Sequence, residues 1–393
     1  MCADTLHRQR LRMFANVSQV IYLVLLFSFL AVGHMLSFSW TVDTESLVLF
    51  QSRGTKLINF LLLAACLADI AFSITRSQDD AGARHQGDVD PLAMVALFAC
   101  CFAMHTANLY NLIGYALLFY LAKWIPSRRI AGVLFAFSVI WIAVAICTCM
   151  LDYSKDVIAK FGYGICHSLG FKNSNNLGLF MFLAVASGWY LLGSRRKASF
   201  AIVGGLVAIL CFFVSGSRTA TALIVLLTVL SMLPRIPEMS SRRAFKTCFI
   251  LLPFIMAAIC IFVGVVLVPF DHGQSHDGNL YCRFVEAVYA FNQDGIHLSP
   301  MDYSTPERRF FFDNAYIFWI FRAGLFAALG FFGFSVLTNW LTIERGTRAE
   351  AILAICVAIY GCMERPLILA MLLIFAYCRH SNREKPTCQE SGS

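Results

Sequence analysis

The chain has 393 residues, 59% of them hydrophobic and only 14% charged, whereas soluble domains carry about a quarter charged residues. That excludes an ordinary water-soluble enzyme and points to a polytopic membrane protein, for which the 36 Phe supply lipid-facing and interfacial surface. The formal charge of +8 does not indicate nucleic acid, because the Lys and Arg sit in short connections between apolar runs, the pattern of cytoplasmic loops. Such cations also suit anionic lipid or a lipid pyrophosphate.

A helix needs about twenty apolar residues to cross a bilayer, and the expected spans follow in chain order. The N-terminal MCADTLHRQRLRMF before an apolar run has the look of a signal peptide, but no small-residue cleavage site follows, so the expectation is an uncleaved first span near 17–37. A second span near 57–75 carries Asp69. An intramembrane carboxylate is a functional candidate, with local pairing to a Ser or Thr or an interfacial position as the plainer alternative. The acidic connection 76–91 fits a cytoplasmic assignment poorly. Residues 92–125, interrupted by His105, Thr106, Asn108 and Asn111, read as two short spans with a polar outer turn. That arrangement puts Lys123, Arg128 and Arg129 on the cytoplasmic side.

Further spans are expected near 130–150, 177–193, 198–214, 220–233 and 247–269. The connections SRRK and RIPEMSSRRAFK lie inside, and LDYSKDVIAKFGYGICHSLGFKNSNN lies outside. A tenth span ends near 340. Residues 350–378 are broken by Glu364, Arg365 and Pro366 and read as two short spans, since Pro disrupts a helix interior and an unpaired charge in lipid is expensive. The fold class is thus an all-α, polytopic integral membrane protein of about twelve (roughly 10–12) transmembrane helices. It is one membrane domain over 1–393, with both termini cytoplasmic and 379–393 as a cytoplasmic tail. No internal repeat is evident.

The chain is organised around 271–340. Residues 271–312 form a large outer loop between late spans. It is polar but regularly interrupted by Leu280, Tyr281, Phe284, Val285, Val288 and Tyr289, so it reads as folded. Loops of that length are generally functional or disordered. Most of the 15 Cys lie inside spans, where a free thiol behaves as a small hydrophobe, so they are not a disulfide framework. Cys166 and Cys282 both fall outside and either pair or remain separate thiols.

Several residues carry possible chemistry. Arg218, in SGSRT between two apolar runs, offers a permanently charged planar fork suited to phosphate. At the start of a helix it also joins an anion-favouring terminus; the alternative is a snorkelling interfacial Arg. Arg322 lies in YIFWIFRAGLFAAL and should face a cavity or a partner, or else belong to an interfacial segment. The outer loop supplies Arg283, Glu286, His297, Arg308 and Arg309, types that serve acid–base work and anion binding or are simply solvated. His272 and His276 have a zinc-like spacing, but in a Gly- and Ser-containing loop without a helix signal. No metal and no other cofactor is expected there.

Three segments resemble the O-antigen polymerase and O-antigen ligase superfamily. LGFKNSNNLGLFMFLA is similar to its GF-x-N-x-N-x-x-G segment, and FVSGSRTATALIVLLTVL to its SGSRT-plus-apolar-helix hallmark. FFFDNAYIFWIFRAGLFAALGFF is similar to the segment after its large periplasmic loop, through Asp313, Asn314, Gly324 and Ala327. The resemblance covers roughly 160–340. It implies a glycosyltransferase of the bacterial inner membrane with its active site facing the periplasm, using neither nucleotide sugar nor metal. The donor would be an oligosaccharide on polyprenyl pyrophosphate. A chain-length regulator would be a natural membrane partner.

Carried over by residue, Arg218 is expected to bind the pyrophosphate, with Arg283, Arg308 and Arg309 as further candidates. Asn173, Asn175 and Asn314 are expected at the substrate. Arg322 would help hold the pyrophosphate. Asp313, Glu286 or His297 would take the acceptor's proton, Asp313 first because it stands at the mouth of the helix bearing Arg322. The ligase pattern has His where this chain has Asp313, which favours a polymerase of O-antigen, colanic acid, capsule or exopolysaccharide. A ligase acting on lipid A–core is the alternative. A lipid-linked glycan flippase, from another class, should show paired halves with matching interrupted helices, which are not evident.

Overall fold

The protein is described by a computed structural model over residues 2–41, 44–79, 110–122, 125–161, 164–192, 197–232, 243–264, 291–292, 295–299, 301, 314–345, 348–362 and 374. Long apolar runs become helices, because a helix satisfies every backbone polar group internally where no water can. In chain order these are α1 (Cys2–His34), α2 (Thr44–Asp79), α3 (Tyr110–Leu121), α4 (Ser127–Met150), α5 (Ser174–Leu192) and α6 (Lys197–Leu210). They are followed by α7 (Arg218–Met232), α8 (Arg243–Ile250), α9 (Leu252–Phe262), α10 (Leu325–Arg345) and α11 (Arg348–Gly361). Among the described residues, the exception to an all-α reading is an antiparallel hairpin, β1 (Ile158–Phe161) with β2 (Gly164–His167).

Among the described residues, six helical stretches are long and apolar enough to cross a membrane: Val17–Ser37, Glu45–Asp69, Ser127–Met150, Ser174–Leu192, Ala198–Ser215 and Leu325–Glu344. The pair α8–α9 makes a seventh if taken as one broken span, and α7 and Glu350–Gly361 are apolar but shorter. The expected twelve are therefore not reached within the described residues. Most of 92–109 and 363–378 lies outside them. Two spans also differ in form. The second begins at Glu45, earlier than expected, because the helix starts at Thr44. The run expected to be continuous over 247–269 bends by 66° between Ile250 and Leu252. Pro253 sits at the start of α9, where its missing N–H is tolerated and a fresh helix begins.

The first half packs around α1. Gly114 of α3 lies against Phe29 of α1 and Asn59 of α2, too close to admit a Cβ. Cys66 of α2 meets the Leu117 carbonyl at 3.9 Å, and the Tyr120 hydroxyl donates to Asp69 at 2.7 Å. Pairs 59–114, 66–117 and 69–120 rise together, so α2 and α3 run parallel. Asp69 thus has a partner, Tyr120 of α3, rather than a Ser or Thr nearby in the chain.

The hairpin end of the bundle is closed by aromatics. Phe38 stacks on Trp141 at 5.0 Å and tilts against Phe171 at 5.2 Å, and Phe171 stacks on Phe180 at 5.4 Å. The 37–41 segment runs as a strap across this end. Ser39 N donates to the Gly170 carbonyl at 2.8 Å, Lys172 N to Ser37 O at 2.8 Å, and Lys155 N to Ser39 O at 2.9 Å.

Candidate functional site

Two of the three resembling segments meet at the hairpin end, and their small residues explain how. Gly170 has φ +94°, and a Cβ there would strike the Ala145 carbonyl, so this turn accepts only glycine at low cost. Phe171 is fully buried. Asn173 follows, exposed, and its Oδ1 accepts from the Asn175 amide at 2.9 Å, starting α5. Asn175 is half-buried in the first turn. One turn on, a Cβ on Gly178 would lie 2.5 Å from the Ser217 Cβ. That close approach seats SGSRT on α5.

SGSRT itself is a helix break. The chain leaves α6 through a π-turn, Cys211–Ser215, capped by Gly216 at φ +62°. The Ser215 hydroxyl donates to the Cys211 carbonyl at 2.7 Å and accepts from the Ser217 amide at 3.2 Å. Ser215 and Ser217 are buried, and Arg218, the first residue of α7, is exposed. The β2 strand packs on the same π-turn. Arg218, Asn173 and Asn175 therefore share one end of the bundle.

The third segment differs from expectation. In place of a continuous span from Asn314, a short turn Ala315–Ile317 passes into a π-turn, Phe318–Arg322, and breaks at Gly324 before α10. Trp319 stacks on Phe331 at 4.5 Å, and Tyr316 lies 6.1 Å from Phe332. A straight helix would separate residues 319 and 331 by about 18 Å, so 315–322 folds back along α10. Gly324 makes the reversal possible. Its φ is +85°, and a Cβ would lie 2.6 Å from the Ser299 carbonyl carbon.

Loop residues 297–301 clasp this reversal. Leu325 N donates to His297 O at 2.8 Å, and Met301 N to Arg322 O at 3.0 Å. Arg322 is half-buried at the reversal, its guanidinium carbon 5.7 Å from the Phe318 ring centre. His297 has a buried Nε2 with no hydrogen-bond partner among the described residues. The clasp thus joins Arg322 and His297 through the backbone.

Asn314 is fully buried and committed to the protein. Its Oδ1 accepts from the amides of Tyr316 (2.9 Å) and Ile317 (3.2 Å), and its Nδ2 meets Cys260 Sγ at 3.2 Å. Cys260 in turn lies 3.5 Å from Cys362. Tyr316 donates to the Ala358 carbonyl of α11 at 3.1 Å, and Tyr360 of α11 stacks on Phe182 of α5 at 5.8 Å. Through α11 the fold-back is joined to α5 and so to the end bearing Arg218. The cavity beside it is about 40 Å³, bordered by Tyr316, Ser335, Thr338 and Asn339, room for a water or two and not for a sugar.

Asp313, Glu286, Arg283, Arg308 and Arg309 lie outside the described residues, as do His272, His276 and Cys282. Cys166 is a buried free thiol. Among the described residues no group of three His, Cys, Asp or Glu is arranged to hold a metal.

Two polar pairs escaped the sequence reading. His34, at the end of α1, has Nε2 3.4 Å from the Tyr115 hydroxyl and its ring edge-on to Phe180 at 5.5 Å. In the hairpin, His167 Nδ1 donates to Asp156 Oδ2 at 2.6 Å, and Asp156 Oδ1 accepts from the amides of Ser168 (2.8 Å) and Leu169 (2.9 Å). Burial raises the Asp156 pKa, but these hydrogen bonds and the His167 charge outweigh it and leave the carboxyl below its ordinary value. The signal was VIAKFGYGICH, two short runs with β-branched and aromatic residues around a Gly-Tyr-Gly turn.

Comparison with family models, with curated proteins and with solved structures finds no match to this chain.

Proposed function

We propose that this chain is a membrane glycosyltransferase that polymerises lipid-linked oligosaccharide repeat units. It would transfer the growing glycan from polyprenyl pyrophosphate to the next lipid-linked unit. The observation that carries this reading is the contact of Gly178 with Ser217. It joins the Asn-bearing start of α5 to the SGSRT turn and leaves Arg218 exposed at a helix start, which suits an anion.

In the reaction, the acceptor hydroxyl oxygen forms a bond to the anomeric carbon. The bond from that carbon to the pyrophosphate oxygen breaks, and its electron pair leaves with the polyprenyl pyrophosphate. Arg218 and Arg322 neutralise the charge that develops on the leaving group. The hydroxyl proton passes to a nearby acceptor, with Asp313, Glu286 and His297 as the candidates. His297 is the one among the described residues.

The test is deletion of the gene, followed by sizing of surface polysaccharide and analysis of the lipid-linked pool. Single repeat units accumulating on lipid, with long chains missing, support the proposal. Long chains held on polyprenyl pyrophosphate indicate a ligase, and repeat units trapped on the cytoplasmic face indicate a flippase; either outcome overturns it.

A further inference from the structure

The residues that follow α4 leave an apolar surface whose position identifies what covers it. Along α4, the exposed positions 136, 140, 143, 147 and 150 recur every three or four residues, which is one face of a helix. On a candidate span that face meets lipid. The stripe does not stop where the helix does. Met150 is 79% exposed and Leu151 66%, and Tyr153 at 55% follows them.

The β-hairpin follows in the chain and also exposes apolar residues. Ile158 pairs with His167 and Lys160 with Ile165. Directly paired residues share a face, and residues two apart on one strand share a face. Positions 158, 160, 165 and 167 therefore stand on one side, two of them Ile, with Lys at 160 and His at 167. Ile158 is 56% exposed and Ile165 54%, while Cys166, on the other side, is buried. An isolated two-stranded hairpin is marginal in water, and a contiguous exposed apolar patch marks an interaction surface.

We infer that this hairpin and the turn before it form a membrane-surface element, with Ile158, Ile165, Leu151 and Tyr153 immersed in the headgroup–acyl boundary of the leaflet at this end. Three observations favour lipid over protein. The patch follows directly in the chain on the exposed apolar stripe of α4, a helix long and apolar enough to span a membrane. Tyr153 is the amphipathic aromatic that such a boundary enriches. Lys155 and Lys172 are exposed beside it, where lipid phosphates lie, with Asp152 as the neighbouring exposed acid. The Asp156 hydrogen bonds to His167, Ser168 and Leu169 hold the hairpin in shape. Because β2 packs on the Cys211–Ser215 π-turn, the element also sets the SGSRT turn at headgroup depth. The inference does not depend on the proposed reaction.

The experiment uses the full chain in nanodiscs of phosphatidylethanolamine and phosphatidylglycerol. A photoreactive p-benzoylphenylalanine replaces Ile158, Ile165 or, as the mid-span reference, Ile140. Adducts are identified by mass spectrometry. Phospholipid adducts at 158 and 165 in yields of the same order as at 140 are expected. Adducts at 140 alone would overturn the inference, as would crosslinks from 158 and 165 to a second copy of the chain or to another segment of the same chain. A variant that fails to fold is recognised by loss of the monodisperse nanodisc peak, and the other position then carries the test.

Discussion

At the residue scale, several side chains have roles that their types alone do not reveal. Asn314 stands in a segment expected to touch substrate, yet it caps a helical turn and reaches Cys260. Replacing it with Ala should lower stability by about 0.5–2 kcal/mol, the usual loss of such a cap, seen as a lower melting temperature in detergent. Unchanged melting would remove the capping role. Gly324 holds φ +85° against the Ser299 backbone. Gly324→Ala should cost about 1–3 kcal/mol and loosen the 297–301 clasp, detectable as faster backbone hydrogen exchange at Leu325 and Met301. Asp156 has a lowered pKa in the folded state, so its stabilising contribution is present above the ordinary carboxylate range and is lost as pH falls through the folded value. Acidification through that range should therefore raise proteolytic cleavage within 156–169, and Asp156→Asn should abolish that dependence.

At the element scale, the breaks carry more information than the spans. The π-turn before Gly216 and the reversal at Gly324 both expose or half-expose an Arg at a helix end. Both depend on glycine at positive φ. Gly178→Val should separate α5 from the SGSRT turn, because a Cβ already falls 2.5 Å from Ser217. The expected outcome is loss of long polysaccharide in cells; retained chain length would mean that contact is dispensable. Apolar helices were legible in the sequence because each needs only a sufficient run of apolar residues, as α4 and α5 show. The fold-back of 315–322 was not legible. Its residues are as apolar as those of a span, and the reversal shows only in contacts such as Trp319 with Phe331 and Tyr316 with Phe332. The hairpin was not legible because its strands are only four residues each and lack a clean apolar–polar alternation.

At the scale of the whole molecule, the hairpin end gathers two of the three sequence segments, and α11 joins the third to them. Gly170 and Phe171 set the strap, Gly178 seats SGSRT, and Tyr316 with Tyr360 ties the fold-back through α11 to α5. The position of Arg218 at a helix start was legible in SGSRT followed by an apolar run, whereas Asn173 stood out only through the family resemblance. How Arg322 is reached was not legible, since that depends on the clasp formed by His297 and Met301.

The most direct measurement of the central claim is polysaccharide length in a strain lacking the gene and complemented with Arg218→Ala or Arg218→Lys, with protein level measured alongside. Loss of one charge-stabilising donor costs about 10²–10³-fold in rate. The account predicts that Arg218→Ala leaves single lipid-linked repeat units and almost no long chains, and that Lys restores only part. Wild-type chain length from Arg218→Ala at an unchanged protein level would contradict it.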